Sequence, residues 1–262
     1  MKHVARKRFG QHFLTDQAVI AGIIAAIRPQ ADDAMVEIGP GLGALTGPLC
    51  AILHHLDVIE IDRDIVARLS GSYPPERLSV HAGDVLEFDF STLPRALRVV
   101  GNLPYNISTP LLFHLARYAE RIRDMHFMLQ KEVVKRMVAA PGGRDYGRLS
   151  VMLQYRFDME LLLEVGPEAF SPPPQVESAV VRMQPRPGAQ LAAVSESGFE
   201  QVVRRAFTQR RKTLRNSLGG LLEAGDYAAL TIAPSLRAEN LRVVDYVAIS
   251  NHLAAREKPP SD

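Results

Sequence analysis

The sequence predicts an α/β protein, a doubly wound and mostly parallel sheet with an antiparallel edge, followed by a small all-helical domain. Three observations carry that prediction. Short apolar or β-branched runs alternate with apolar residues at helical spacing through the first half of the chain, the pattern of repeated strand–helix–strand units. Two later strand-like runs, 159–165 and 176–183, are joined by a Pro-rich loop and supply the antiparallel edge. Beyond Pro185-Arg186-Pro187-Gly188, a linker by composition, apolar residues recur only at helical spacing (Val202, Val203, Phe207; Leu214, Leu218, Leu221; Val244, Val247, Ile249). The sheet domain is therefore expected over residues 1–187 and the helical domain over 189–257.

Residues 1–15 form a basic arm ending in Phe9-Gly10-Gln11-His12-Phe13-Leu14. Asp16 can cap a helix whose apolar stripe is Val19, Ile20, Ile23, Ile24 and Ile27, and Pro29 ends it. Met35-Val36-Glu37-Ile38 reads as the first strand, before Gly39-Pro40-Gly41-Leu42-Gly43 and a helix carrying Leu45, Leu49, Ile52 and Leu53. Val58-Ile59-Glu60-Ile61 is the second strand, with Asp62 capping a helix through Leu69. Leu78-Ser79-Val80-His81 is the third and closes at Gly83-Asp84. The fourth, centred on Val99-Val100, runs into Asn102-Leu103-Pro104-Tyr105. Thr109 can cap the next helix with Pro110 at its first position, where a missing N–H costs nothing. Residues 125–129 give a fifth strand before a helix over 131–139, and 149–155 reads as a further helix.

Composition bounds the function. At 262 residues, 47% hydrophobic and 23% charged, the chain can bury a real core. Its single cysteine, Cys50, excludes a disulfide within the chain and a cysteine metal cluster, and no metal is expected. No apolar run reaches about 18 residues, so no membrane partner is expected. The basic start lacks the apolar segment of a secretory signal, which makes a cytoplasmic protein the default. Net charge is only +2, yet Lys2, Arg6, Lys7 and Arg8 precede the first acid, and Arg204, Arg205, Arg210, Arg211, Lys212 and Arg215 fall in an acid-free stretch. Such clusters suit phosphates, although most charge runs are solvated faces.

The chemistry gathers at strand ends. In Glu37-Ile38-Gly39-Pro40-Gly41-Leu42-Gly43 the glycines let backbone approach a ligand, but the Gly-x-Gly-x-Gly spacing and the proline argue against a dinucleotide cradle. Glu60, about 20 residues on, can accept both hydroxyls of a ribose, and Asp84 can accept from the adenine amine of the same nucleoside. Asn102 and the Pro104 carbonyl offer two acceptors beside the flat ring of Tyr105, which suits an exocyclic amine on a planar base. Singly, each has a plain alternative: Glu60 and Asp84 as caps, Asn102 as a turn residue, Tyr105 as core filler.

Taken together, these segments resemble the ribosomal RNA adenine dimethyltransferases, which act on paired adenosines near the 3′ end of small-subunit rRNA. The marks are Phe9 to Leu14, Glu37 to Gly43, Glu60, Gly83-Asp84, Asn102 to Tyr105, Phe170 to Ser178 and Phe207 to Leu218. The resemblance implies a Rossmann-like sheet that takes S-adenosylmethionine. In it, Gly39 and Gly41 lie against the cofactor, Glu60 takes its ribose, and Asp84 with Val85 frames its adenine. Gln11, His12 and Leu14 close over the methionine end, and Asn102 stands between methyl donor and target amine. Position 12 is typically Asn in the family and is His12 here, which leaves that residue's role open. Asn102, Pro104 and Tyr105 would be catalytic, with the target base stacked on Tyr105 and, on its other face, on Phe170 or else with Phe170 packed under the proline loop. Lys7, Arg8, Arg210, Arg211, Lys212 and Arg215 would track RNA, the last four on a helix capped by Thr208 with Arg211 and Arg215 on one face. The expected partner is 16S rRNA in the immature small subunit, met by a monomer. The alternatives are a large-subunit (23S) rRNA adenine methyltransferase of the antibiotic-resistance type, a non-catalytic ribosome-assembly factor, and a small-molecule methyltransferase, which the basic clusters disfavour.

Overall fold

The computed structural model describes residues 12–190, 192–209 and 211–257. Lys7, Arg8, Gln11 and Arg210 lie outside them. The chain packs as two compact units, one taking described residues up to Val134 with Asp158–Pro185, the other Lys135–Phe157 with described residues from Arg186 onward. No helix among the described residues is long and apolar enough to cross a membrane.

The first unit runs β1 (Phe13–Leu14), α1 (Gln17–Ile27), β2 (Met35–Ile38), α2 (Thr46–Ile52), β3 (Leu56–Glu60), α3 (Arg63–Ser72), β4 (Leu78–Ala82), β5 (Leu97–Asn102), α4 (Ser108–Ala116) and β6 (Ile122–Gln130). Then come α5 (Lys131–Val138), α6 (Arg148–Arg156), β7 (Phe157–Val165), β8 (Phe170–Ser171) and β9 (Ser178–Pro185), with α5 and α6 leading into the second unit. The main sheet has the order β4-β3-β2-β5-β6-β9-β7. Neighbours from β4 to β6 are parallel, and β9 joins β6 antiparallel. The expected antiparallel edge is therefore present. From β2 the chain winds outward to β3 and β4, then returns to β5 on the other side of β2. The carboxyl ends of β2 and β5 thus flank a topological switch point, where open α/β sheets bind ligands.

Local physics explains the elements. Asp16 accepts from the amides of Ala18 and Val19, and Asp62 from that of Asp64, so both predicted caps are in place. Ile20, Ile23 and Ile27 bury one face of α1 against the sheet core. A Cβ on Gly101 would fall 2.5 Å from the Ile38 carbonyl oxygen, so β2 and β5 approach this closely only because residue 101 is glycine.

Three local expectations are corrected. Thr109 does not cap α4, which starts at Ser108, because the chain already winds at Ile107, whose amide bonds the Pro104 carbonyl at 3.2 Å. Pro110 is thus the third helical residue, and the Ser108 hydroxyl donates to the Tyr105 carbonyl instead. In the second unit, α7 (Glu196–Phe207) ends before Thr208, and α8 (Leu214–Ser217) is a single turn. Arg211 and Arg215 therefore do not share a helix face. The cause is long-range: Leu214 and Arg215 donate their amides to the Leu236 and Pro234 carbonyls, which keeps 211–213 out of a helix. Finally, Tyr146, Val151 and Tyr155 pack in one core with Phe199, Val203, Leu214 and Tyr246, so 135–157 joins the helices past the 185–188 linker. That core is completed by α9 (Ala224–Ala229) and α10 (Val243–Glu257), although Val244 points to solvent.

Candidate functional site

A cavity of about 230 Å³ opens at the switch point, in the first unit, where one water needs only about 10–15 Å³. Four strand ends and the segment before α1 build it. After β2, Gly39 and Gly41 adopt φ of +65° and +55°, a left-handed backbone that favours glycine. A Cβ at Gly41 would also crowd the Phe13 ring at 3.2 Å. After β3, the buried Glu60 carboxylate takes the Asp62 amide at 2.9 Å, and the Gly41 and Ile61 amides also face it. After β4, Asp84 accepts from the Leu86 amide at 2.9 Å and Val85 is buried, both on the cavity wall. Ile61, half-exposed, supplies apolar surface there.

The end of β5 carries the most constrained group. Asn102 Nδ2 donates to the backbone carbonyl of His12 at 3.0 Å. A carbonyl only accepts, so the amide is forced to turn its NH₂ towards residue 12 and keep Oδ1 as the free acceptor. Pro104 and Tyr105 follow on the same wall. The Tyr105 hydroxyl bonds Ser178 Oγ at 2.7 Å, and burial pushes its pKa up. His12 Nδ1 donates to the Pro172 carbonyl at 2.9 Å, and its ring stacks with Tyr105. Backbone pairing of β1 with β8 (Leu14 opposite Phe170) holds this segment over the cavity.

Of the proposed site residues within the described chain, His12, Leu14, Gly39, Gly41, Glu60, Asp84, Val85, Asn102, Pro104 and Tyr105 all line one cavity. Phe170 does not. The residue is 4% exposed and packs in the core with Leu14 and Val165. Arg211, Lys212 and Arg215 are exposed on the second unit. Among the described residues no cluster of His, Cys, Asp and Glu could hold a metal.

A sequence profile of the ribosomal RNA adenine dimethylase family matches residues 2–255. The chain belongs to that family. It is 62% identical to the ribosomal RNA small subunit methyltransferase A of Chromobacterium violaceum, over 96% of this chain and 97% of that one. It is also 62% identical to the protein of that name from Thiobacillus denitrificans, over 97% and 100%. Among solved structures, a dimethyladenosine transferase from Plasmodium falciparum aligns with a TM-score of 0.78 at 24% identity, covering 94% of this chain and 98% of its own. A 23S rRNA methyltransferase aligns at 0.71 and 24% identity, over 92% and 99%. At that identity both speak to the fold.

In this adenine dimethylase the sequence assigns no role to two side chains that the structure places at or beside the cavity. Glu37 sat inside the quoted motif but without a role; Ser178 carried no signal beyond its place after the proline loop. The Glu37 carboxyl is buried, accepts the Thr46 hydroxyl at 2.7 Å and is pushed up to about 7, by burial above all, with the Glu60 charge adding to it. The folded state thus binds a proton that the unfolded chain releases near 4.5. That contribution to stability, about 3 kcal/mol at most, is present below pH 4.5 and lost as pH rises through 7. Glu37→Gln, which cannot ionise, is expected to gain stability over the unsubstituted chain between pH 5 and 8. Urea denaturation without added ligand checks this, and parallel pH profiles for the two proteins would refute the assignment.

Proposed function

We propose that the chain dimethylates the N6 amines of two adjacent adenosines near the 3′ end of 16S rRNA, in the immature small subunit, with S-adenosylmethionine as methyl donor. The observation that carries this is the Asn102 amide, whose NH₂ is held by the His12 carbonyl so that its oxygen is left to accept, on one cavity wall with Pro104 and Tyr105. The walls fit the donor: a carboxylate at Glu60 for ribose hydroxyls, an acceptor at Asp84 for the adenine amine, apolar surface at Ile61 and Val85 for its ring, and a glycine loop that admits a ligand close to backbone. Relatives at 62% identity named for the small subunit favour that substrate over 23S rRNA.

When bound, S-adenosylmethionine supplies an electrophilic methyl on a sulfonium. The chain's task is the nucleophile. An exocyclic adenine nitrogen shares its lone pair with the ring and attacks poorly. Asn102 Oδ1 and the Pro104 carbonyl accept its two N–H bonds, bend them out of plane and restore the lone pair. Tyr105 stacks the base once it has left its helix. Positioning can contribute about 7–11 kcal/mol of the barrier, and the product ammonium is acidic enough to lose its proton to water. Gln11, His12 and Leu14 would cover the methionine end.

The deciding test is incubation of labelled S-adenosylmethionine with small subunits lacking the modification, then mapping of the label. Two adjacent dimethylated adenosines in 16S rRNA are expected; label confined to 23S rRNA, or none, would overturn the proposal. The exposed Arg211, Lys212 and Arg215, with Lys7, Arg8 and Arg210, are proposed to meet the RNA backbone. Arg211→Gln with Arg215→Gln is then expected to weaken subunit binding and lower the salt slope by about one per lost charge, measured by filter binding across a salt series. An unchanged slope would remove both residues from the interface.

A further inference from the structure

The Tyr105 hydroxyl ends on Ser178 Oγ at 2.7 Å. Ser178 is fully buried as the first residue of β9, and it stands behind the cavity wall that Tyr105 helps to form. A serine hydroxyl placed there can reach the reaction only through the tyrosine. We propose that Ser178 is a positioning residue for methyl transfer, fixing the plane of the Tyr105 ring relative to the Asn102 amide. This rests on the methyltransferase reading above.

The backbone end of Tyr105 is already held. Its carbonyl accepts the Ser108 hydroxyl at 3.0 Å, and the preceding Pro104 carbonyl accepts the Ile107 amide at 3.2 Å. What remains is rotation of the ring about its long axis, a torsion that is intrinsically broad. Conjugation keeps the O–H bond and the accepting lone pair of a phenol in the plane of its ring. Whichever hydroxyl donates, the place of Ser178 therefore sets how the ring is turned as well as how far it reaches.

Ser178 can set that plane because the strand that places it also places Asn102. On one side of β6, Met128 lies opposite Asn102; on the other, Gln130 lies opposite Ser178. Backbone bonds carry both pairings past the strand ends: the Leu103 amide to the Met128 carbonyl at 3.1 Å, and the Lys131 amide to the Glu177 carbonyl at 2.9 Å. Amide and ring are thus indexed to positions two residues apart on one strand, about 7 Å. The group that takes an N–H of the target amine and the ring that carries its base share one frame. Methyl transfer needs such a frame, since a misplacement of about 1 Å can cost about 10²-fold.

The test is a double-mutant cycle in the full chain: Ser178→Ala, Tyr105→Phe and the two together. The readout is the single-turnover rate of methyl transfer to saturating small subunits, per molecule that binds S-adenosylhomocysteine in calorimetry. Tyr105→Phe keeps the ring and removes its tie. Each single substitution is expected to slow transfer roughly tenfold, and the pair by no more than one of them, because all three lose the same bond. The KM for small subunits should change little, since phosphate contacts dominate RNA affinity. Ser178→Cys, which keeps the volume and a weak donor, should recover part of the rate. A hydroxyl that served only stability would lower the folded fraction and leave the rate per cofactor-binding molecule unchanged. An unchanged rate in Ser178→Ala overturns the proposal, as does a loss of about a hundredfold in the pair, which would mean that the two hydroxyls act separately. Should Ser178→Ala not fold, Tyr105→Phe and Ser178→Cys decide, and the unsubstituted rate in both overturns it. If the unsubstituted protein transfers no methyl to small subunits, the functional reading falls as well; if transfer stands and the losses multiply, only the role of Ser178 does.

Discussion

Asn102→Ala is expected to lower kcat on small subunits by roughly 10³-fold or more while leaving subunit affinity nearly intact. Removing one preorganised polar group aimed at a transition state typically costs about 10²–10³-fold. Here the loss also frees the target amine to keep its lone pair in the ring, and the remaining Pro104 carbonyl holds only one N–H. Affinity survives because binding to RNA comes mainly from phosphates met by cationic side chains, not from one amide at the bottom of a pocket. Asn102→Asp separates orientation from mere acceptor strength. It keeps an oxygen but sets a carboxylate against the His12 carbonyl, where Asn102 now donates at 3.0 Å. Two acceptors in that position repel, so the aspartate variant should also lose most activity. Single-turnover kinetics with saturating cofactor, beside filter binding, checks both. Full turnover by Asn102→Ala would sink the mechanism.

That site was legible in the sequence because its parts are local. A strand that stops, a glycine loop and an acidic residue at the next strand end can each be read within a few residues. The bounds of β2 (Met35–Ile38) and the caps Asp16 and Asp62 depend only on neighbouring groups, and they are where sequence reasoning put them. What escaped was set by distant backbone. Thr208 lies where a helix cap is plausible until the amides of Leu214 and Arg215 find carbonyls at 236 and 234. Phe170 reads from sequence as a stacking ring or as packing under the proline loop, and only the pairing of β8 with β1 shows its place in the core. The helical segment 135–157 is interrupted from its own unit by β7 and β9, so no linker composition marks where it belongs. Ser178 has no neighbour in sequence that hints at Tyr105, 73 residues away.

Arg98→Met is expected to destabilise the fold by about 3–5 kcal/mol, the usual consequence of removing one member of a buried ion network. In the sequence Arg98 is only the polar start of a strand. In the structure its guanidinium is nearly buried and meets Asp124 through Nε at 2.8 Å and Nη2 at 2.9 Å, and Asp33 through Nη1 at 2.7 Å. Nη2 also donates to the Ile27 carbonyl at 2.6 Å, at the carboxyl end of α1, where a helix leaves its acceptors unpaired. Methionine fills the volume but takes the guanidinium from the Asp124 carboxylate and that carbonyl, and leaves Asp33 only Arg123 and the Gln30 amide. The pH dependence tests this account against a simple packing defect. Burial pushes the Asp33 pKa up, but the Gln30 amide and the Arg98 guanidinium more than offset it, so it sits below the ordinary carboxylate value. Its contribution to the unsubstituted protein is therefore present above pH 3.8 and lost as pH falls through the lowered pKa. Without Arg98 that burial is offset only by the Gln30 amide and the exposed Arg123, so protonation relieves more of it and the gap between the two proteins should narrow towards pH 4. Urea denaturation at pH 7.5 and pH 4.5 measures that gap; equal gaps would leave only packing. Arg98→Lys should fall between, since it keeps the charge and loses the fork. Arg98 and Asn102 lie four residues apart on β5, about 13 Å. Activity per folded molecule should therefore be retained in Arg98→Met, the reverse of the pattern expected for Asn102→Ala.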